Sequence, residues 1–315
     1  KLLAARGANK LLELTVIIVN WNARALLKDC LESLTESVAC GVCEVIVVDN
    51  GSEDGSVDMI RTSFPRVSIL EAGSNIGFAK GNNLGLKNVH TRYVLLLNSD
   101  TLVARADLEM MISAMESNPR LKALTCLHMD GQGNPTYAFG RFPSLKSELV
   151  TMTGAFKWRW VKRLISARKQ SVLKGSMVPT EATGECPSSH VVPVDWVSGA
   201  CMMLRTDIAI ELGGLDERYF FYAEDIDLCL RIRKAGGEVG FLESASIIHL
   251  CGGSSSSNYL PLLKSFMRTR LQFFAEHYGR LSAVALGGVY FVAGVASLAK
   301  WLVILGFVPS QRKSA

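Results

Sequence analysis

Three stretches carry residues whose types and spacing could do chemistry. Residues 95–97 drive an aliphatic run into Asn98, Ser99 and Asp100. An acid at the end of a central strand suits a divalent cation, which takes ionised oxygen ligands presented by a rigid element. Buried without a metal, a base or several N–H donors, that charge would be costly, and backbone donors are the competing explanation. Residues 49–56 (DNGSEDGS) and 74–85 (SNIGFAKGNNLG, with Asn75, Gly77 and Asn82) bring glycines, polar side chains and free amides ahead of helices, a composition that receives anionic groups of a nucleotide. Neither turn has the form G-x-x-x-x-G-K-[ST] or G-x-G-x-x-G, which disfavours P-loop hydrolysis and ordinary dinucleotide binding. Glu224 and Asp225 stand directly behind Tyr219, Phe220, Phe221 and Tyr222, with Asp227 following. The dipole of a helix start favours acids in general, but accounts less well for a pair behind an aromatic wall.

The elements that must position these residues follow from periodicity. LTVIIVN, EVIVVDNGS, RVSILEA and RYVLLLNSD read as strands, separated by helical patterns in ARALLKDCLESL, SVDMIRTSF and FAKGNNLGLKNV. This βαβαβαβ succession, with near-continuous aliphatic strands, is that of a parallel sheet covered on both faces. Right-handed crossovers put every strand's carboxyl end on one edge. Asn20 and Asn22, Asp49 and Asn50, and Asn98 and Asp100 therefore gather along one rim, where open α/β sheets bind ligands. Good turn-forming and capping residues are the alternative explanation for each position alone.

The chain's 315 residues, 49% hydrophobic, suffice for a substantial core and exclude a disordered protein. The eight cysteines are scattered, unlike a small secreted disulfide scaffold, and point to a reducing compartment. Cys40 and Cys43 form a lone C-x-x-C without a matching second pair, which argues for two incidental thiols over structural zinc. The start, KLLAARGANK, is too short in apolar residues for a signal peptide.

VIIVNWN, VVDNGSEDGS, NIGFAKGNN, LLLNSDT, VSGACMMLR, GGLDERYFFYAEDIDLCLR and IIHLCGGS, in that order across about residues 14–254, resemble the family 2 glycosyltransferases, in particular their bacterial rhamnosyltransferase-like branch. The resemblance implies an α/β protein of GT-A fold, with a mainly parallel central sheet flanked by helices, and the apolar tail adds a C-terminal helical extension. Residues 1–255 would form the catalytic domain and 256–315 a helical, membrane-associating segment. It further implies an inverting, metal-dependent hexosyltransferase using Mg²⁺ or Mn²⁺. Asp49 would contact the nucleobase, and Asn20, Asn22, Asn50, Asn75, Gly77, Asn82, Asn98, Ser99 and Asp100 would line the nucleotide-sugar site. Asn98-Ser99-Asp100 takes the place of a D-x-D signature, with Asp100 as the retained metal-binding acid. Asn98 departs from that signature and adds no charge, so it would hold the metal weakly or bind a ribose or phosphate instead. His249 would complete the metal site, a structural histidine being the other reading. Inversion needs a base across the sugar from the metal, and Asp225 is the candidate. Glu224 would orient it or bind an acceptor hydroxyl. Trp196, Ser198 and Gly199 would border the sugar or acceptor, with a bent sheet strand as the alternative.

The expected donor is a nucleoside diphosphate sugar, dTDP-rhamnose first, with galactofuranose or another hexose as alternatives. A nucleotidyltransferase and a noncatalytic sugar-binding homologue are the other classes to separate. KWRWVKRLISARKQSVLK combines seven basic residues with Trp158 and Trp160 and suits a solvated helix, anionic lipid or nucleic acid. No nucleic-acid module surrounds it, so nucleic acid ranks last. Residues 281–299 hold no charge and as a helix would extend about 28 Å, near the hydrocarbon thickness. Their many small residues leave an interfacial or core-packed helix in competition with a spanning one. A lipid-linked saccharide acceptor at the cytoplasmic face of a bacterial inner membrane, in cell-surface polysaccharide synthesis, is the expectation that unites these features.

Overall fold

The computed structural model describes residues 12–152, 191–220, 222–250 and 259–306. The first half runs β1 (Leu14–Asn20), α1 (Arg24–Ala39), β2 (Cys43–Asp49), α2 (Ser56–Ser63), β3 (Ser68–Glu71), α3 (Phe78–Leu86) and β4 (Tyr93–Asn98), the succession expected from the sequence. There follow β5 (Thr101–Val103), α4 (Arg105–Ser117), β6 (Leu121–Met129), β7 (Phe139–Gly140), α5 (Leu145–Met152), β8 (Val191–Pro193), β9 (Trp196–Val197) and β10 (Cys201–Arg205). The last elements are α6 (Thr206–Glu211), α7 (Glu224–Lys234), β11 (Glu238–His249), α8 (Tyr259–His277) and α9 (Arg280–Gly306).

Strand order in the main sheet is β3-β2-β1-β4-β10-β6-β11-β5, with β8 also on β11. β3, β2, β1 and β4 are mutually parallel. β10 then runs antiparallel between β4 and β6, and β11 returns parallel to β6. β1 is buried on both sides because its residues alternate between two cores. Val16 and Ile18 pack with Leu27, Leu31, Met59 and Met111 on one face, and Ile17 with Ala79, Leu96 and Met202 on the other. Helix α3 lies unusually close to β1: a Cβ on Gly81 or Gly85 would come within 2.9 Å of Val19 or 2.7 Å of Ile17. Those two glycines, four apart on one helix face, set the height of the loop that precedes α3. Arg205 is buried, gives hydrogen bonds to the carbonyls of Met115 (2.6 Å) and Leu121 (3.0 Å), and ties β10 to the end of α4.

Two compact units divide the chain: Lys1–Phe142 with Pro187–Thr269, and Pro143–Cys186 with Arg270–Ala315. The sheet and the expected nucleotide, metal and catalytic residues lie in the first. In the second, the buried carboxylate of Glu148 is met by Arg270 (3.3 Å) and by the Tyr290 hydroxyl, which donates at 3.4 Å. Burial raises the Glu148 pKa against the opposing pull of Arg270. Leu286 and Tyr290 form the buried side of α9, while Leu281, Val284, Phe291, Val292 and Val295 are exposed. Among the described residues, no helix is long and apolar enough to cross a membrane. The basic stretch around Trp158 and Trp160, Phe221 and residues 251–258 lie outside the described residues.

Candidate active site

The parallel strands β1, β2 and β4 deliver Asn20, Asp49 and Asn98 to one rim, as their register requires. Asn20 donates to Asp49 Oδ1 (3.1 Å) and to Ser52 Oγ (3.0 Å), and Asp49 Oδ2 accepts the Ser52 amide (2.8 Å). Asp49 opens onto a cleft of about 350 Å³ lined also by Gly51, Ser52, Glu53 and Arg61. Asn50 donates to the Gly77 carbonyl (3.2 Å) and Asn82 to the Phe78 carbonyl (3.0 Å). The side-chain oxygens of Asn20, Asn50 and Asn82 are buried, and no donor among the described residues meets them. Buried acceptors are normally satisfied, so these three have capacity left for donors from outside the described residues. Two expected residues are committed to the loops themselves: Asn22 Oδ1 accepts the Glu53 amide (2.8 Å) and Asn75 Oδ1 the Gly77 amide (3.0 Å). Gly77 has φ +87°, and a Cβ there would meet the Phe220 ring at 2.9 Å.

Ser99 and Asp100 form the turn between β4 and β5. β5 pairs with the end of β11 so that Thr101 faces His249, and the Asp100 carbonyl accepts the Leu250 amide at 2.9 Å. The His249 side chain thereby reaches Asp100, with Nε2 3.2 Å from Oδ1. Between Leu242 and Ser246 the register of β11 against β6 shifts, and Asp107 accepts the Ser246 amide at 2.7 Å. That bulge lets β11 switch register and deliver His249 to the rim. An imidazole nitrogen and a carboxylate oxygen at this spacing, 17% and 14% exposed, fit a divalent cation, whose N and O ligands stand about 3 Å apart when each bond is about 2.1 Å.

Behind Asn98 the chain crosses to the acid pair. The Asn98 amide donates to the Ala200 carbonyl (3.0 Å), and the next residue back, Gly199, donates its amide to Asp225 Oδ2 (3.1 Å). The Asp225 Oδ1 accepts the Ile226 amide at 2.8 Å. A Cβ on Gly199 would stand 3.2 Å from the Phe78 ring, a tight contact that the ring would have to yield to. Tyr222 and Ala223 both adopt positive φ (+72° and +74°), an uncommon pair of non-glycine left-handed residues that turns the chain into α7. Trp196 sits on the β7–β9 ribbon, its indole N–H held by the Arg141 carbonyl (2.9 Å) and its ring 5.7 Å from that of Tyr137. Ser198 is tied to Ala138 through its amide (2.8 Å) and to the Ala200 amide through its hydroxyl (3.3 Å).

The pattern of glycosyl transferase family 2 matches residues 15–175, just over half of the chain. The chain belongs to that family. This family 2 glycosyltransferase is 27% identical over 278 residues to the N-acetylglucosaminyl-diphospho-decaprenol L-rhamnosyltransferase of Mycobacterium tuberculosis, spanning 84% of this chain and 85% of that one. It is 24% identical to the rhamnosyltransferase WbbL of Escherichia coli, over 85% of this chain and 98% of that one. Its fold is similar to the crystal structure of GalNAc-T7 with UDP, GalNAc and Mn²⁺, with a TM-score of 0.58 at 14% identity over 85% of this chain. The chain spans about half (48%) of the length of that structure. The expected GT-A fold is thus the one found, with β10 antiparallel between β4 and β6.

The two acids of this glycosyltransferase differ in environment. Glu224 is buried, and that burial, with the Asp225 carboxylate beside it, pushes its pKa from 4.5 to about 8. One buried oxygen, Oε2, meets no hydrogen-bond partner among the described residues. At neutral pH Glu224 therefore holds a proton. Because the folded protein binds that proton more tightly than the unfolded chain, the associated stability is full below about pH 4.5 and is lost as pH rises towards about 8. Glu224→Gln should flatten this slope: denaturant unfolding at pH 5 and pH 8 would show a smaller loss of stability in the variant than in the wild type. Equal slopes would count against the assignment.

Proposed function

We propose that this chain is an inverting, metal-dependent glycosyltransferase that moves a hexose, rhamnose first among the candidates, from a nucleoside diphosphate to a lipid-linked saccharide in bacterial cell-surface polysaccharide synthesis. The observation that carries the reading is the continuity of the rim: Asp100 with His249, Asn98 bonded to Ala200, and Gly199 bonded to Asp225. The names of the Mycobacterium and Escherichia relatives support rhamnose, and the former supports a polyprenyl diphosphate acceptor.

In this reading Asp49 accepts a hydrogen bond from the nucleobase, and the open acceptors of Asn20, Asn50 and Asn82 receive further donors of the nucleotide-sugar. Asn22, Asn75 and Gly77 shape the loops around it, and Asn98 and Ser99 flank the diphosphate. A divalent cation, Mg²⁺ or Mn²⁺, held by Asp100 and His249 would offset the charge developing on the diphosphate. Asp225 takes the proton of the acceptor hydroxyl as that oxygen bonds to the anomeric carbon and the bond to the diphosphate oxygen breaks. Glu224, neutral, leaves Asp225 as the charged member of the pair. Trp196, Ser198 and Gly199 border the sugar or acceptor. A donor panel with mass spectrometry of a polyprenyl-linked acceptor tests the whole reading. A hexose-sized mass gain from one donor, with nucleoside diphosphate released, supports it; release of pyrophosphate, or no transfer from any donor, overturns it.

We place residues 1–255 as the catalytic domain and 256–315 as the segment that meets the inner membrane's cytoplasmic face. Leu281, Val284, Phe291, Val292 and Val295, with successive spacings of 3, 7, 1 and 3 residues, fall on one side of α9, opposite Leu286 and Tyr290. Such a stripe suits a helix lying in the interface. Replacing Val284 and Phe291 together by Asp should lower partitioning onto anionic vesicles at least about tenfold, judged from the transfer free energy of two large apolar side chains. Sedimentation equal to wild type would remove the membrane assignment and leave the chemistry untouched.

A further inference from the structure

His128, in the last turn-ward residues of β6, was not expected from sequence to have any role, and its hydrogen bonds single it out. The side chain is fully buried. Its ring stands edge-on to that of His249, with centroids 6.0 Å apart and planes at 84°. β6 and β11 pair so that His128 lies beside Ile247, two residues before His249. Thr125 Oγ1 gives its proton to the Cys201 carbonyl at 2.7 Å and so can only accept from His128 Nε2, 3.2 Å away. That network assigns the proton to Nε2 and leaves Nδ1 as an acceptor. Nδ1 is buried, and no hydrogen bond from the described residues meets it, although the Cys201 thiol also bonds to this ring. A buried acceptor left open by the described residues, beside an imidazole that fits a cation, can receive a donor from a bound group.

We propose that His128 is a positioning residue for the cation of Asp100 and His249: its Nδ1 accepts a hydrogen bond from a water on that cation, while its ring fixes the plane of His249. The inference rests on the metal-dependent reading above and adds to it an outer partner on a different strand. Such partners typically change metal affinity by about 10- to 100-fold when removed.

The test measures Mn²⁺ binding to the full chain with dTDP present, from the loss of the free-ion electron paramagnetic resonance signal. His128→Phe keeps a ring against His249 and removes both nitrogens; His128→Asn places an amide oxygen near the former Nδ1. Mn²⁺ affinity should fall about 10-fold or more in the Phe variant and stay within about threefold of wild type in the Asn variant. Wild-type affinity in a folded Phe variant, or equal weakening in both variants, would overturn the proposal. Should the Phe variant fail to fold, ¹⁵N-histidine labelling of the wild type decides. One strongly and one weakly coupled imidazole nitrogen support the assignment; a single coupled imidazole defeats it. If the wild type takes up no Mn²⁺ at all, the metal-dependent reading fails together with this one, whereas bound Mn²⁺ indifferent to position 128 sinks only the role of His128.

Discussion

Asp225→Asn is expected to bind the nucleotide donor as tightly as the wild type and to transfer sugar about 10²- to 10⁴-fold more slowly, the usual contribution of a general base. The amide is nearly isosteric with the carboxylate. Its oxygen can keep one of the two amide hydrogen bonds now made by Gly199 (3.1 Å) and Ile226 (2.8 Å), so the start of α7 should stay in place. What the amide cannot do is take a proton from a hydroxyl. Donor affinity by calorimetry and turnover at a fixed acceptor concentration separate the two functions. Substantial turnover would rule Asp225 out as the base. The comparison with Glu224→Gln sharpens the result, because Glu224, pushed up to about 8, already holds its proton near neutrality and its replacement should cost far less activity. If the Gln variant loses transfer and the Asn variant does not, the roles are exchanged.

The half of the sheet from β1 to β4 was legible because each strand is a local aliphatic run with its own helix following, and burial on both faces leaves no other composition open. The rest depends on partners distant in sequence. Cys201 pairs with Leu97, some hundred residues earlier, and no local pattern says that β10 enters antiparallel between β4 and β6. The shift near residues 243–245 and its brace from Asp107 are equally nonlocal, yet they deliver His249 to Asp100. His128 escaped notice because a single histidine at a strand end reads as core. Only the open Nδ1 and the ring beside His249 distinguish it, and both are tertiary facts. The asparagines show a middle case: sequence placed Asn20, Asn22 and Asn50 on the rim and Asn75 and Asn82 in a polar turn, but could not say that Asn22 and Asn75 brace loops while Asn20, Asn50 and Asn82 keep acceptors open. Likewise the adjacent acids were visible, whereas their division into a buried Glu224 and a more accessible Asp225 was not.

Asp100→Asn is expected to lower metal-supported transfer by about 10³-fold, in line with the several kcal/mol that a bound cation contributes to stabilising charge in a transition state. The size follows from the departure at Asn98. In the Asn98-Ser99-Asp100 turn only one carboxylate is present, so its replacement removes the charged group beside the His249 imidazole. The fold should survive, since the turn is held by the Asp100 carbonyl accepting from Leu250 at 2.9 Å and by the Thr101 hydroxyl bonded to the Asn98 carbonyl at 2.6 Å, neither of which involves the carboxylate. The opposite change provides the control. Asn98→Asp adds a second charge at the first position and should tighten Mn²⁺ binding about tenfold, because affinity for hard cations rises with ligand charge. Metal titrations of both variants, read beside turnover, make the argument vulnerable in two directions. Unchanged Mn²⁺ affinity in Asp100→Asn would remove the carboxylate from the metal site, and weaker binding in Asn98→Asp would mean that position 98 faces the nucleotide's own negative charge and not the cation.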